Sequence, residues 1–263
     1  MQACMAMVAS VLDHPLLNSR YFFPRPDAIA RPFWVKSSGD VELACYYDRA
    51  PRAGRTVLFF HGNGEVAADY TGVFAAQMRK LGVGFCVAEY RGYGESSGEP
   101  SLPALLEDAE AMFEALGLPP EQLIVFGRSV GSIPACELVL REPAIAGLVL
   151  ESGIADVRER VLMRVKPAQI NMSESEFDKL MKSDFDHAEK LGAYPGPLLL
   201  LHAEHDTLVS AKHALQNAKH AAGVVTKALL PLGDHNNVES SNRIAYWKAL
   251  GDFVASLPQL PAL

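Results

Sequence analysis

Residues 125–134 read VFGRSVGSIP: Ser129 stands between two glycines, directly behind the apolar run LIVFG (123–127) and just ahead of the helix-forming segment SIPACELVL (132–140). Strand, tight turn, helix is the context that gives G-x-S-x-G its meaning. Side chains at Gly127 or Gly131 would collide with the neighbouring strand or helix, and the turn pushes the serine hydroxyl out at the carboxyl end of the sheet. The helix that follows aims its free backbone N–H groups at the same point. Pro134 is tolerated there, because the first helical turn lacks N–H partners anyway. The pattern alone recurs by chance, so reading Ser129 as a nucleophile depends on what the rest of the chain places around it.

Outward from this turn, strand-like runs recur: FWVKSS (33–38) and VELACYY (41–47) around the turn GD, then TVLFFH (56–61), GFCVAEY (84–90), GLVLES (147–152), PLLLLHA (197–203) and TKALLPL (226–232). Most of the later runs are almost continuously apolar, as strands covered on both faces must be. Helix-length segments at 67–81, 102–116, 132–141, 211–222 and 237–256 lie between them. The alternation predicts an α/β domain with a doubly wound, mostly parallel β-sheet that opens on an antiparallel hairpin. One interval breaks the rhythm. Residues 153–197 hold no strand signal, yet ADVRERVLMRV and SESEFDKLMKSDF have helical periodicity, and Ser173 with Glu176 fits a capping box. A small helical lid insertion at about 153–197 is expected within a single domain of 263 residues.

Composition narrows the function classes. With 49% apolar and 21% charged residues the chain can bury a sizeable core. A formal charge of −7 without a basic cluster argues against sequence-independent nucleic-acid binding, which needs many Lys and Arg side chains to displace counterions. Cys4, Cys45, Cys86 and Cys136 are scattered without a CxxC pair and read as small buried hydrophobes suited to a reducing cytoplasm. The opening MQACMAMVASVL lacks a basic n-region, and no stretch reaches the roughly 18 apolar residues of a membrane helix, so no transmembrane segment is expected. No metal and no cofactor is expected either. His202, His205 and Asp206 mimic a metal cluster only in sequence, since a strand end does not gather three ligands onto one side.

A serine hydroxyl needs a base, and the base needs a group to fix its tautomer. EHDTLV places Asp206 just past a strand end, and LLPLGDHNN places His235 in the loop after the last strand. The order Ser129, Asp206, His235 brings all three to one edge of such a sheet. His205 is the nearest rival base, but it adjoins Asp206, where their side chains diverge. Acyl transfer also needs donors for an oxyanion. LFFHGNG ends a strand in a glycine-flanked turn, so the Asn63 backbone N–H is one candidate donor, with Gly64 its runner-up, and the Val130 backbone N–H is the other. Ser132 is set aside as nucleophile because it lies in the helix, and RGYGESSG lacks the GK[ST] ending of a P-loop.

LFFHGNGE, EYRGYGESSGEPS, GRSVGS, LHAEHDTLV and GDHNNVE, in that order, resemble the α/β-hydrolase fold, in the branch of small esterases and protein depalmitoylase-like serine hydrolases. The match runs from roughly Thr56 to Phe253. Two departures stand out: Ala203 follows His202 where many members have glycine, and the N-terminal cysteine cluster that anchors the depalmitoylases to membrane is missing. The resemblance implies a cofactor-free serine hydrolase of esters or thioesters, acting on a small-molecule or acylated substrate. A peptidase or amidase on the same triad is the first alternative, and a non-catalytic binding or scaffold protein on the same fold is the second. Within the insertion, Leu162, Met163, Val165, Phe177, Leu180 and Met181 repeat at helical spacing. Met163, Phe177 and Met181 are the candidate contacts to an acyl chain.

Overall fold

A computed structural model describes residues 11–51 and 54–260. Its centre is an eight-stranded sheet in the order β1-β2-β4-β3-β5-β6-β7-β8. The strands are β1 (Phe33–Lys36), β2 (Glu42–Asp48), β3 (Thr56–Phe60), β4 (Gly84–Ala88), β5 (Leu123–Arg128), β6 (Gly147–Glu151), β7 (Leu198–Ala203) and β8 (Val225–Leu230). β1 and β2 form the expected antiparallel hairpin, β2 joins β4 antiparallel, and every later pairing is parallel.

The continuously apolar strands are buried on both faces because alternate residues feed two separate cores. Leu58 and Phe60 of β3 join Val125, Leu148 and Leu200 in one cluster, together with Leu102, Leu105 and Met112 of α3 (Leu102–Leu116) and Ile133 and Cys136 of α4 (Ser132–Arg141). Val57 and Phe59 join Ile124, Val149 and Leu199 in the other, under Met78 of α2 (Val73–Lys80) and Tyr246, Leu250 and Phe253 of α10 (Arg243–Ser256). Burying each of these large side chains contributes about 1.5–3 kcal/mol. Helix α3 shows how its limits are encoded: the Ser101 hydroxyl accepts from Ala104 N–H at 3.3 Å, and Gly117 ends the helix in the left-handed region at φ 60°. The helix expected over 67–81 is divided into a short turn, Ala67–Tyr70, and α2, with Gly72 between them.

Between β6 and β7 lie α5 (Val157–Leu162), α6 (Glu174–Asp184) and α7 (His187–Ala193), of which α7 carries no strong sequence signal. The capping box opens α6: Ser173 Oγ accepts from Glu176 N–H at 3.2 Å, and the Glu176 carboxylate accepts from Ser173 N–H at 2.9 Å. Helix α1 (Pro15–Tyr21), also unread from sequence, packs against the turn Pro167–Ile170 of the same insertion. The remaining helices are α8 (Lys212–His220) after β7 and α9 (Val238–Ser241) before α10. Cys45, Cys86 and Cys136 are buried free thiols, while Cys4 and most of the N-terminal apolar stretch lie outside the described residues. Among the described residues, no helix is long and apolar enough to cross a membrane.

Candidate active site

Strands β5, β7 and β8 run parallel, so the loops leaving their carboxyl ends meet on one edge. At the end of β5 the chain turns so sharply that Ser129 adopts φ 52°, in the left-handed region that L-residues avoid. Both flanking glycines are required by close approach. A Cβ on Gly127 would meet the Gly131 carbonyl and Ala135 of α4, and a Cβ on Gly131 would run into the Phe60 carbonyl at the end of β3.

The loop after β7 returns on itself through Asp206 N–H to the Ala203 carbonyl at 3.2 Å. One Asp206 oxygen accepts from the backbone N–H groups of Leu208 (2.9 Å) and Val209 (2.7 Å), which leaves the other to meet His235 Nδ1 at 2.8 Å. The opposite ring nitrogen, Nε2, lies 2.9 Å from Ser129 Oγ. An ionised carboxylate only accepts, so Asp206 fixes the proton of neutral His235 on Nδ1 and leaves Nε2 free to accept from the serine hydroxyl. Burial pushes the Asp206 carboxyl up, but the His235 hydrogen bond and charge, with the Val209 N–H, outweigh it and hold the carboxyl below its usual range. Next to it, Asp234 accepts from both the backbone N–H and the hydroxyl of Thr207 at 2.7 Å, tying the Asp206 loop to the His235 loop. These bonds bring the Asp234 carboxyl down to about 2.

The turn after β3 supplies the other wall. Gly62 N–H is committed to the Glu65 carboxylate at 2.6 Å. The next N–H, that of Asn63, and that of Val130 have no backbone acceptor among the turns and caps described, and both residues line one cavity with Ser129 and His235. The Asn63 side chain is structural: its carbonyl accepts from Phe23 N–H (3.0 Å) and the Tyr93 hydroxyl (2.8 Å), and its amide donates to the Tyr21 carbonyl. That clamp brings Tyr21 and Phe23, from the far N-terminal segment, to the cavity wall.

Beneath the site sits a residue that the sequence reading passed over. Arg128, next to Ser129, is buried between Glu65 (2.8 Å) and Glu151 (3.5 Å), and its guanidinium donates to the His235 carbonyl at 3.2 Å. Burial opposes its charge, yet Glu65 and Glu151 more than restore it and raise its pKa. Glu65 is held below its usual range despite burial, chiefly by the Arg128 charge, whereas burial wins at Glu151 and leaves it raised. The position inside G-x-S-x-G carried no signal for this, because both carboxylates come from distant strand ends.

The other histidines fall away from the hydroxyl. His61 is fully buried, with Nε2 on Glu89 and Nδ1 on the Gly62 carbonyl, each at 2.8 Å. His202 Nε2 is spent on the Val209 carbonyl at 2.7 Å, and His205 is exposed. Of the insertion candidates, none lines the Ser129 cavity. Phe177 and Met181 are buried in the main core and Met163 points to solvent at 63% exposure. The insertion reaches the cavity instead through Arg160 and Arg164, beside Ile154, and with Leu208 and Val209 they enclose about 230 Å³.

Residues 51–183, just over half of the chain, match the family model described as serine aminopeptidase, S33. The chain is 28% identical over 232 residues to alpha/beta hydrolase domain-containing protein 17B of Xenopus laevis, covering 85% of this chain and 74% of that one. Among solved structures, an esterase of Pyrococcus furiosus superposes with a TM-score of 0.68 at 15% identity, covering 89% of this chain and 98% of that one. The esterase Est1E of Butyrivibrio proteoclasticus, bound to ferulic acid, gives 0.69 at 16% identity, over 85% and 98%. At such identities the structural likeness speaks to the fold alone, and it agrees with the mostly parallel sheet flanked by helices. The chain belongs to the serine aminopeptidase (S33) family and is an α/β-hydrolase enzyme, similar to esterases in its architecture.

Proposed function

We propose that the protein cleaves carboxylic esters or thioesters through an acyl-enzyme on Ser129. The observation that carries this reading is the unbroken line Ser129 Oγ, His235 Nε2, His235 Nδ1, Asp206 Oδ2, at 2.9 and 2.8 Å, opening onto a cavity. His235 takes the hydroxyl proton as Ser129 attacks the carbonyl carbon, and Asp206 stabilises the resulting imidazolium. The Asn63 and Val130 N–H groups receive the oxyanion. His235 then returns the proton to the leaving alkoxide or thiolate. A water molecule, deprotonated by His235, releases the acid and restores Ser129. No cofactor is needed for these steps, and a small-molecule or acylated substrate suits the cavity. A cytoplasmic setting belongs to the same proposal, supported by the three buried free thiols.

A free carboxylate is the strongest partner for the terminal ammonium of an aminopeptidase substrate, and the described lining of the cavity offers none. Its single lining carboxylate, Glu65, has both oxygens engaged, by Arg128 on one side and by Gly62 N–H and Tyr70 on the other. Ester chemistry therefore fits better than amide cleavage at a free N-terminus. The test is turnover of an ester and thioester panel by substituted enzymes. Asp206→Asn should lower kcat by about four orders of magnitude through the wrong imidazole tautomer, and His235→Ala by about four to six. Near-native activity in His235→Ala, with loss in His205→Ala, would move the base to His205.

A further inference from the structure

The chain carries a net charge of −7, yet the cavity at Ser129 is lined by three arginines and one glutamate. Glu65 neutralises Arg128 at 2.8 Å, which leaves Arg160 and Arg164 uncompensated. Arg158, on the same helix, is paired with Asp178 at 2.6 Å. Arg160 and Arg164 instead touch only neutral groups among the described residues: Arg160 donates to the Leu208 carbonyl at 2.9 Å and contacts Met163 Sδ at 3.1 Å, and Arg164 lies 5.6 Å from the centre of the Phe23 ring. Outside the described residues the sequence holds no Asp or Glu. The two are four residues apart, so they project on one side of the turn that ends α5.

Tyr21 completes the group. Its side chain is buried on the wall of the same cavity, and its hydroxyl makes no hydrogen bond to another described residue. Burial pushes the phenol up to about 12, with the Arg160 and Arg164 charges pulling the other way, so it stays protonated and can donate. Arg160 and Arg164 from the insertion and Tyr21 from the N-terminal segment thus line one cavity with the nucleophile. Guanidinium groups match the planar, multidentate geometry of carboxylate and phosphate. Ile154 is buried on the same wall, whereas Phe23 and Leu208 are partly open to solvent, so salt should screen such a contact.

We infer that the substrate is an ester or thioester carrying an anionic oxygen group, a carboxylate or a phosphate, which Arg160, Arg164 and Tyr21 hold while its carbonyl sits on Ser129. This assignment rests on the serine-hydrolase reading. It gives the arginines a role that clamping Leu208 and stacking on Phe23 does not explain, since any long neutral side chain would cover the same surface. The cavity, about 230 Å³, is below the roughly 300–1,000 Å³ of drug-sized sites, so the bound part of the substrate is short.

Two matched substrate pairs locate the anion. 4-Nitrophenyl hydrogen adipate against its methyl ester places a carboxylate on the acyl side. S-acetyl 4′-phosphopantetheine against S-acetyl pantetheine places a phosphate on the leaving-group side. At least one pair should show kcat/KM favouring the anion by about tenfold or more, and that ratio should fall about tenfold in Arg160→Gln/Arg164→Gln. The exposed single substitution Arg164→Gln gives the same direction should the double variant fold poorly, and Arg164→Lys should keep most of the preference. Raising NaCl to 0.5 M should shrink the ratio. Ratios near one in both pairs, or a preference that survives the double substitution, would overturn the assignment. Wild-type enzyme that turns over none of the four and takes no fluorophosphonate label would instead bring down the serine-hydrolase reading itself.

Discussion

Replacing Arg128 by Gln should unbalance the floor of the site in a way that depends on pH. The guanidinium lies 2.8 Å from Glu65 and 3.5 Å from Glu151, and all three side chains are largely or wholly removed from water. Removing one member of a buried ion pair costs about 3–5 kcal/mol, because the partner charge is left unpaired. That is a large share of the roughly 5–15 kcal/mol that holds a folded domain together. Without the cation, the Glu151 carboxyl, already raised, moves further above its unfolded value, and the Glu65 carboxyl loses the charge that holds it below its own. A raised carboxyl contributes stability that is present at low pH and is lost as pH climbs through the folded pKa. The defect of Arg128→Gln should therefore be greatest near pH 7.5 and shrink by about 1–2 kcal/mol at pH 5.5, the equivalent of roughly one pKa unit. Arg128→Gln/Glu151→Gln should recover part of the loss at pH 7.5. Urea unfolding at the two pH values measures this, and a loss below about 1 kcal/mol, or one identical at both, would mean that Arg128 does not stabilise these carboxylates. In turnover, Arg128→Gln should lower kcat more than it raises KM, because the bond to the His235 carbonyl is what it removes from the site.

Phe177→Ala should destabilise the fold by about 3–5 kcal/mol through the cavity it leaves, without altering the acyl-length profile, while Met163→Ala should be close to silent in both; a changed length profile at unchanged stability would return these residues to the substrate site. Wild-type stability should fall as pH drops from about 6.5 toward 5, ahead of the carboxylates. Burial holds His187 down at about 3 and lowers His202 and His213, so each charges more readily unfolded, whereas His61 alone is raised and acts in the opposite sense. His187→Gln should flatten that slope in urea titrations, and an unchanged slope would remove His187 as its main source.

The sheet and the site were legible to different depths. Strands β3 to β7 are continuous apolar runs ended by glycine or polar turns, and their loops fall on one edge by the geometry of parallel strands. Ser129, Asp206 and His235 could thus be placed together from order alone. The insertion was legible as helix but not in the direction it faces. Its apolar stripe at Phe177, Leu180 and Met181 required something to cover, and periodicity cannot distinguish a core from an acyl chain. The stripe covers the core, and the polar side of α5 turns Arg160 toward the serine. Tyr21 and Phe23 were invisible because they arrive from more than a hundred residues upstream, held by the Asn63 amide, and no local pattern encodes such a meeting. Arg128 was hidden likewise, since its meaning lies in Glu65 and Glu151 and not in its neighbours in sequence.

In the proposed reaction Ser129 is the nucleophile on which the acyl group is carried. Mass spectrometry of the intact protein after fluorophosphonate treatment, followed by peptide mapping, tests it directly. A single adduct on the Ser129 peptide is expected, lost in a correctly folded Ser129→Ala protein whose ester turnover falls by about four to six orders of magnitude. An adduct at Ser132 or elsewhere, or turnover that persists in Ser129→Ala, would contradict it.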